Sequence, residues 1–136
     1  MNYQKLQALA VAGNVVVDFT PPTNQAYRVL YGHSVIACDG TAADRRFKFT
    51  LYDENSNIVI DAHTGAVVTA GLTRHIAMKQ GIYRETAFID DDIELPIPKD
   101  FIIPQGYTLR CEIEAGVAGD VWEVSLAVEQ NSISAF

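Results

Sequence analysis

The residues of this chain whose types could carry chemistry are few. They are the three histidines (His33, His63 and His75), the acidic run Asp90-Asp91-Asp92 with Glu94, and Glu112 and Glu114 beside Arg110. Asp61 and His63 are two positions apart, so a strand sets them on one face, and His33 and His75 could in principle join them around a metal. A metal site needs three or four converging ligands with support behind them. The spacing shows no such convergence, and the chain has no HxH or HExxH pair. The acidic run could gather calcium, which takes carboxylate oxygens, but the Gly-containing loop that wraps such an ion is missing, and charge runs are usually solvated. Glu112 and Glu114 share the polar face of one strand, which suits an ion pair better than an acid and base facing each other across a cleft. Ser34 follows His33, and neighbours on a strand point apart, so the two form no triad. There is no GxSxG and no phosphate-cradling glycine loop. The residues therefore assign no catalytic group, no cofactor and no metal ligand. Enzyme is the weakest class.

The elements that hold these residues read as strands. In Tyr107 to Glu114 the odd positions (Tyr107, Leu109, Cys111, Ile113) are apolar and the even ones polar. That period of two marks a strand with one buried face. Val121 to Glu129 repeats the sorting, with Trp122, Val124, Leu126 and Val128 on one side. Between them Ala115-Gly-Val-Ala-Gly-Asp120 has turn composition. The expectation is a long hairpin across residues 107–129, with Trp122 in the core.

Upstream, Asn14 to Phe19 reads as a strand stopped by Pro21-Pro22. Ala26 to Cys38 reads as a long strand kinked near Gly32-His33, since a glycine within a strand marks a bulge or a close approach. Arg46 to Asp53 alternates cleanly and pairs with Ile58 to Ala62 as a hairpin. Ala66 to Gln80 is ambiguous between strand and short helix. Gly81 to Ile89 reads as a strand, and the prolines after Ile93 fit an edge or connector. Tyr27, Tyr31, Tyr52 and Tyr83 are expected as surface aromatics. About eight strands with at most one short helix predict a single-domain, all-β, antiparallel sandwich of jelly-roll type. It spans residues 13–130, preceded by an arm or first edge element at 1–12 and followed by a tail at 131–136.

The totals agree. A chain of 136 residues suits one domain, with 49% apolar and 10% aromatic residues. A net charge of −7 and a pI near 4.7 argue against nucleic-acid binding, which needs a concentrated cationic surface. No run approaches a membrane span, and the N-terminus is a poor signal peptide, so no membrane partner is expected and the protein is expected to be made and assembled in the cytosol. Two cysteines, Cys38 and Cys111, are too few for a disulfide scaffold and read as buried thiols.

Three segments, AYRVLYGHSVIA, FKFTLYDENSNIVIDA and ELPIPKDFIIPQGYTLRCEIEAGVAGDVWEVSLAVEQ, resemble small virion accessory proteins of tailed bacteriophages, of the capsid decoration or cement type. The shared step is Ile103-Pro104-Gln105-Gly106-Tyr107-Thr108-Leu109-Arg110, leading into the last strands. The resemblance implies a non-catalytic protein that binds the major capsid protein outside the head as a homo-oligomer, dimer or trimer, located in the virion after assembly in the host cytoplasm. A tail or neck accessory, or a host-receptor (glycan) binding module, is the alternative. The terminal residues Tyr3, Leu6, Leu9 and Phe136 are the candidate partner contacts.

Overall fold

A computed structural model of the chain describes residues 2–80 and 92–132. The described residues form ten strands and no helix: β1 (Asn2–Ala12), β2 (Val17–Phe19), β3 (Gln25–Ala37), β4 (Arg46–Tyr52), β5 (Ile58–His63), β6 (Thr73–Gln80), β7 (Asp92–Ile97), β8 (Ile102–Ile103), β9 (Thr108–Glu114) and β10 (Val121–Ser132). Six of them make one sheet, in the order β1-β10-β3-β6-β7 with β8 paired to β3. The other four make a second sheet, in the order β2-β9-β4-β5. The pairings are antiparallel apart from β6 with β7. This is the expected all-β sandwich, with two more strands than the sequence suggests. The segment expected as a strand at 81–89, with Tyr83, lies outside the described residues.

The alternation predicted along β9 and β10 holds. Leu109, Cys111 and Ile113 face inward from one sheet, and Trp122, Val124, Leu126 and Val128 from the other. Phe47 and Phe49 on β4 and Ile36, Ile76 and Met78 on β3 and β6 close the core between them. The Trp122 ring meets Phe47 edge-on, with centroids 6.3 Å apart, and its Nε1–H donates to the Ala12 carbonyl at 3.0 Å. A buried indole keeps its polar edge satisfied in this way.

What does not hold is the hairpin. β9 pairs with β4 in the four-stranded sheet, and β10 pairs with β3 in the six-stranded one. The turn at 115–120 is therefore an arch from one sheet to the other. β3 and β4 make the same passage through residues 38–45. Together, β3–β4 and β9–β10 form one long antiparallel ribbon folded across the core. Alternation cannot distinguish the two arrangements, because both bury the same face of each strand.

Three other expectations are corrected. The irregularity in β3 falls at Leu30, where the register with β10 shifts between Ala127 and Val128, and not at Gly32-His33. Gly32 instead lets neighbours close in: a Cβ there would lie 2.7 Å from both Leu126 Cδ2 and Met78 Cε. Tyr27 is buried, because beyond the bulge its face turns to the core, where it sits opposite Ile103. Finally, Val15 and Val16 stay exposed, and only Val17–Phe19 pairs, with β9. The ambiguous stretch from Ala66 resolves into a bridge of Val68 to Arg45, a turn, and β6.

Candidate functional site

A buried cluster of charge lies where the two sheet-to-sheet passages run side by side. Arg45, at the end of the 38–45 passage, and Asp120, at the end of the arch, are both completely buried. Arg45 Nε donates to Asp120 Oδ2 at 3.0 Å and Nη2 to Oδ1 at 3.0 Å, a bidentate fork. Nη2 also reaches Asp39 Oδ1 at 3.1 Å, and Nη1 the Ala43 carbonyl at 3.0 Å. The Asp120 carboxylate accepts two backbone N–H groups as well, from Asp39 at 2.9 Å and Val117 at 3.0 Å. Strands leaving a sheet give up ladder partners, and buried donors must be satisfied elsewhere. Asp120 does this for both passages at once.

Burial by itself would raise the Asp120 carboxyl. The Arg45 guanidinium and the two backbone N–H groups outweigh it and hold the carboxyl below the usual range. Glycines permit the close approach: a Cβ on Gly116 would overlap the Gly13 carbonyl, and one on Gly119 would overlap the Asp39 carboxylate. Held by these bonds across the two passages, the buried pair of Arg45 and Asp120 is a brace. Its members look ordinary in sequence, Arg45 as half of a basic pair and Asp120 as a turn residue. The pairing of residues 75 positions apart has no local signal.

The histidines divide between the two sheets. His33 on β3 and His75 on β6 converge on the outer face of the six-stranded sheet, with Nε2 of His33 3.1 Å from Nδ1 of His75. His63 is on β5 of the other sheet, its Nδ1 2.8 Å from the Thr64 carbonyl oxygen. Asp61 sits there too, within 3.8 Å of Lys48 Nζ. Two ring nitrogens fall short of the three or four ligands a metal needs, and no group of three potential ligands occurs among the described residues. Asp90 and Asp91 lie outside those residues, and for Asp92 only the backbone pairing with His75 is described.

Glu112 is 3.8 Å from Lys48, and Arg110 forks to Asp18 at 2.9 and 3.2 Å while lying over the Tyr52 ring. Both are cross-strand pairs on the outer face of the four-stranded sheet. Asp18, Tyr52, Asp53 and Arg110 border a polar hollow of about 210 Å³. Burial pushes the Cys111 thiol up, and to a lesser extent Cys38, and neither is bridged.

What the protein does offer is apolar surface around β1. This strand is an edge of the six-stranded sheet, paired on one side with β10. Tyr3 is 69% and Leu9 57% exposed, while Leu6 turns inward against the core. Beyond Ala8 the register shifts by one residue, and Ala10 takes a left-handed φ of 52°. Beside this bulge a hollow of about 220 Å³ is bordered by Ala10, Val35, Ala37, Val121, Trp122 and Glu123. Of the four candidate partner contacts, Tyr3, Leu6 and Leu9 thus lie on one edge strand, and Phe136 lies outside the described residues.

No protein-family model matches the chain, and no curated protein matches it. Among solved structures, one titled "Structure of infectious bursal disease virus Gx strain" aligns with 98% of this chain at 13% identity and a TM-score of 0.37. The chain spans 41% of that chain's length. A likeness this loose bears on neither the fold nor the function of the present protein.

Proposed function

We propose that the protein is a non-enzymatic structural protein of a tailed-bacteriophage virion, a decoration or cement protein that binds the head exterior and stabilises subunit joints. The observation that carries this reading is the disposition of reactive side chains. Arg45 and Asp120 are engaged in a buried brace, Arg110 with Asp18 and Glu112 with Lys48 in cross-strand pairs, and apolar side chains are presented along the edge strand β1. A molecule so arranged acts by adhesion, through surfaces that gain stability when covered. The Ile103 to Arg110 step adds support: Tyr107 N donates to the Pro104 carbonyl at 3.1 Å with Gly106 at a φ of 84°, a tight turn that launches β9.

The test is co-sedimentation with heads lacking this protein, followed by heating. Binding to the heads with a gain in their heat resistance is the expected result. No binding to heads, with saturable binding on a glycan array, would move the assignment to a receptor-binding module.

A further inference from the structure

Sheet edges carry unpaired backbone groups, and proteins protect them with short strands, prolines, charges, bulges or covering segments. Among the described residues, three of the four strands that end the two sheet orders follow that rule. β2 has three residues, β7 contains Pro96, and β5 has six residues with Asp61 and His63 among them. β1 is different. It has eleven residues, no proline and a single charge, Lys5; its bulge guards only the end beyond Ala8, and among the described residues nothing pairs with its outer side.

We infer that β1 is the homodimer interface: it pairs antiparallel with β1 of a second copy, about a two-fold axis at Leu6 and normal to the sheet. Such an axis joins the two six-stranded sheets into one and keeps both cores on the same side. Facing residues must then come from the same face, which leaves few registers. Centring on Lys5 sets two ammonium groups against each other. Centring on Gln7 leaves Leu9 opposite Lys5 and carries Tyr3 onto Val11, past the bulge. Centring on Leu6 pairs Tyr3 with Leu9 of the second copy, Gln4 with Ala8, Lys5 with Gln7, and Leu6 with itself.

That register covers the two most exposed apolar side chains of the strand with each other, twice by symmetry. It also stops where the strand stops being regular. The next pair would be Asn2 with Ala10, and Ala10 is the left-handed residue of the bulge. The bulge bounds the pairing segment to Tyr3 through Leu9. Seven paired residues make an interface well below the roughly 800 Å² per partner of a stable complex. The dimer is therefore weak in solution and gains persistence when both copies are held on a larger surface.

The inference is independent of where on a particle the protein sits, and its test uses the isolated protein. Sedimentation velocity over a dilution series should show a reversible monomer–dimer equilibrium in the micromolar range. Leu9→Lys should weaken it by roughly tenfold or more, with melting temperature unchanged, because Leu9 is exposed in the monomer. The register is read by oxidation in a Cys38→Ser background. Leu6→Cys should cross-link to its own copy, since facing Cα atoms about 4.5–5.5 Å apart suit a disulfide. Gln4→Cys, four residues out of register with its own copy, should not. A monomer at all concentrations, or cross-linking at Gln4→Cys equal to that at Leu6→Cys, would overturn the proposal.

Discussion

Replacing Asp120 by Ala removes the acceptor on which both sheet-to-sheet passages converge. Arg45 then keeps a fully buried charge, with only Asp39 and the Ala43 carbonyl near it. The backbone N–H groups of Asp39 and Val117 lose their acceptor as well. Breaking a buried ion pair from one side costs about 3–5 kcal/mol, because the remaining charge is left uncompensated. A domain of this size has a total stability of about 5–15 kcal/mol, so the loss is a large share of it. At about 2–4 °C per kcal/mol, the melting temperature should fall by about 6–20 °C. Urea unfolding of wild type and Asp120→Ala measures the difference directly. An Asp120→Ala/Arg45→Met double variant should recover part of the loss, since the charge is gone, but not all of it, since the two N–H groups remain unmet.

The same carboxylate gives a pH signature. Its folded-state pKa lies below the ordinary value near 3.9, so below that pH the unfolded chain binds a proton that the folded one does not. The brace therefore contributes its stability above about pH 4 and loses it as pH falls further, through the folded-state value. Asp120→Asn should flatten the acid limb of the stability profile. An Asp120→Ala protein within about 1 kcal/mol of wild type at neutral pH, or an unchanged acid limb in Asp120→Asn, would refute the reasoning.

Three further outcomes follow from the geometry. Gly116→Ala should be far more damaging than Gly32→Ala: the first meets the Gly13 backbone, while the second meets the movable ends of Met78 and Leu126 and should cost about 1–3 kcal/mol by chemical denaturation. Arg110→Ala should cost less than about 1 kcal/mol despite its forked geometry, because both partners are more than a third exposed and water screens the pair; thermal melts will show it. Cys111 should resist thiol reagents in the native protein and react only on unfolding, whereas the half-buried Cys38 should react slowly in the native protein, since burial disfavours both thiolates but Cys111 more; timed labelling with and without denaturant reads this out.

For β4, β9 and β10, the position of the strand and the face it buries were legible in the chain alone. Leu109, Cys111 and Ile113 alternate with polar neighbours, and so do Trp122, Val124 and Leu126, because a pleated backbone sends successive side chains to opposite sides. The β4–β5 hairpin was legible too, since its turn is short and local. The candidate contacts Tyr3, Leu6 and Leu9 could be named from the sequence, but not their common placement on an open edge strand, because residues 2–12 carry mixed helical and strand spacing and become a strand by pairing with β10. Only the tertiary structure decided that β9 and β10 part into different sheets, that Arg45 meets Asp120, and that His33 meets His75 and not His63. The reason is physical: side-chain periodicity records which face is dry, whereas the choice of neighbour depends on backbone donors and acceptors, which are alike at every residue. That choice is made by contacts between residues far apart in the chain.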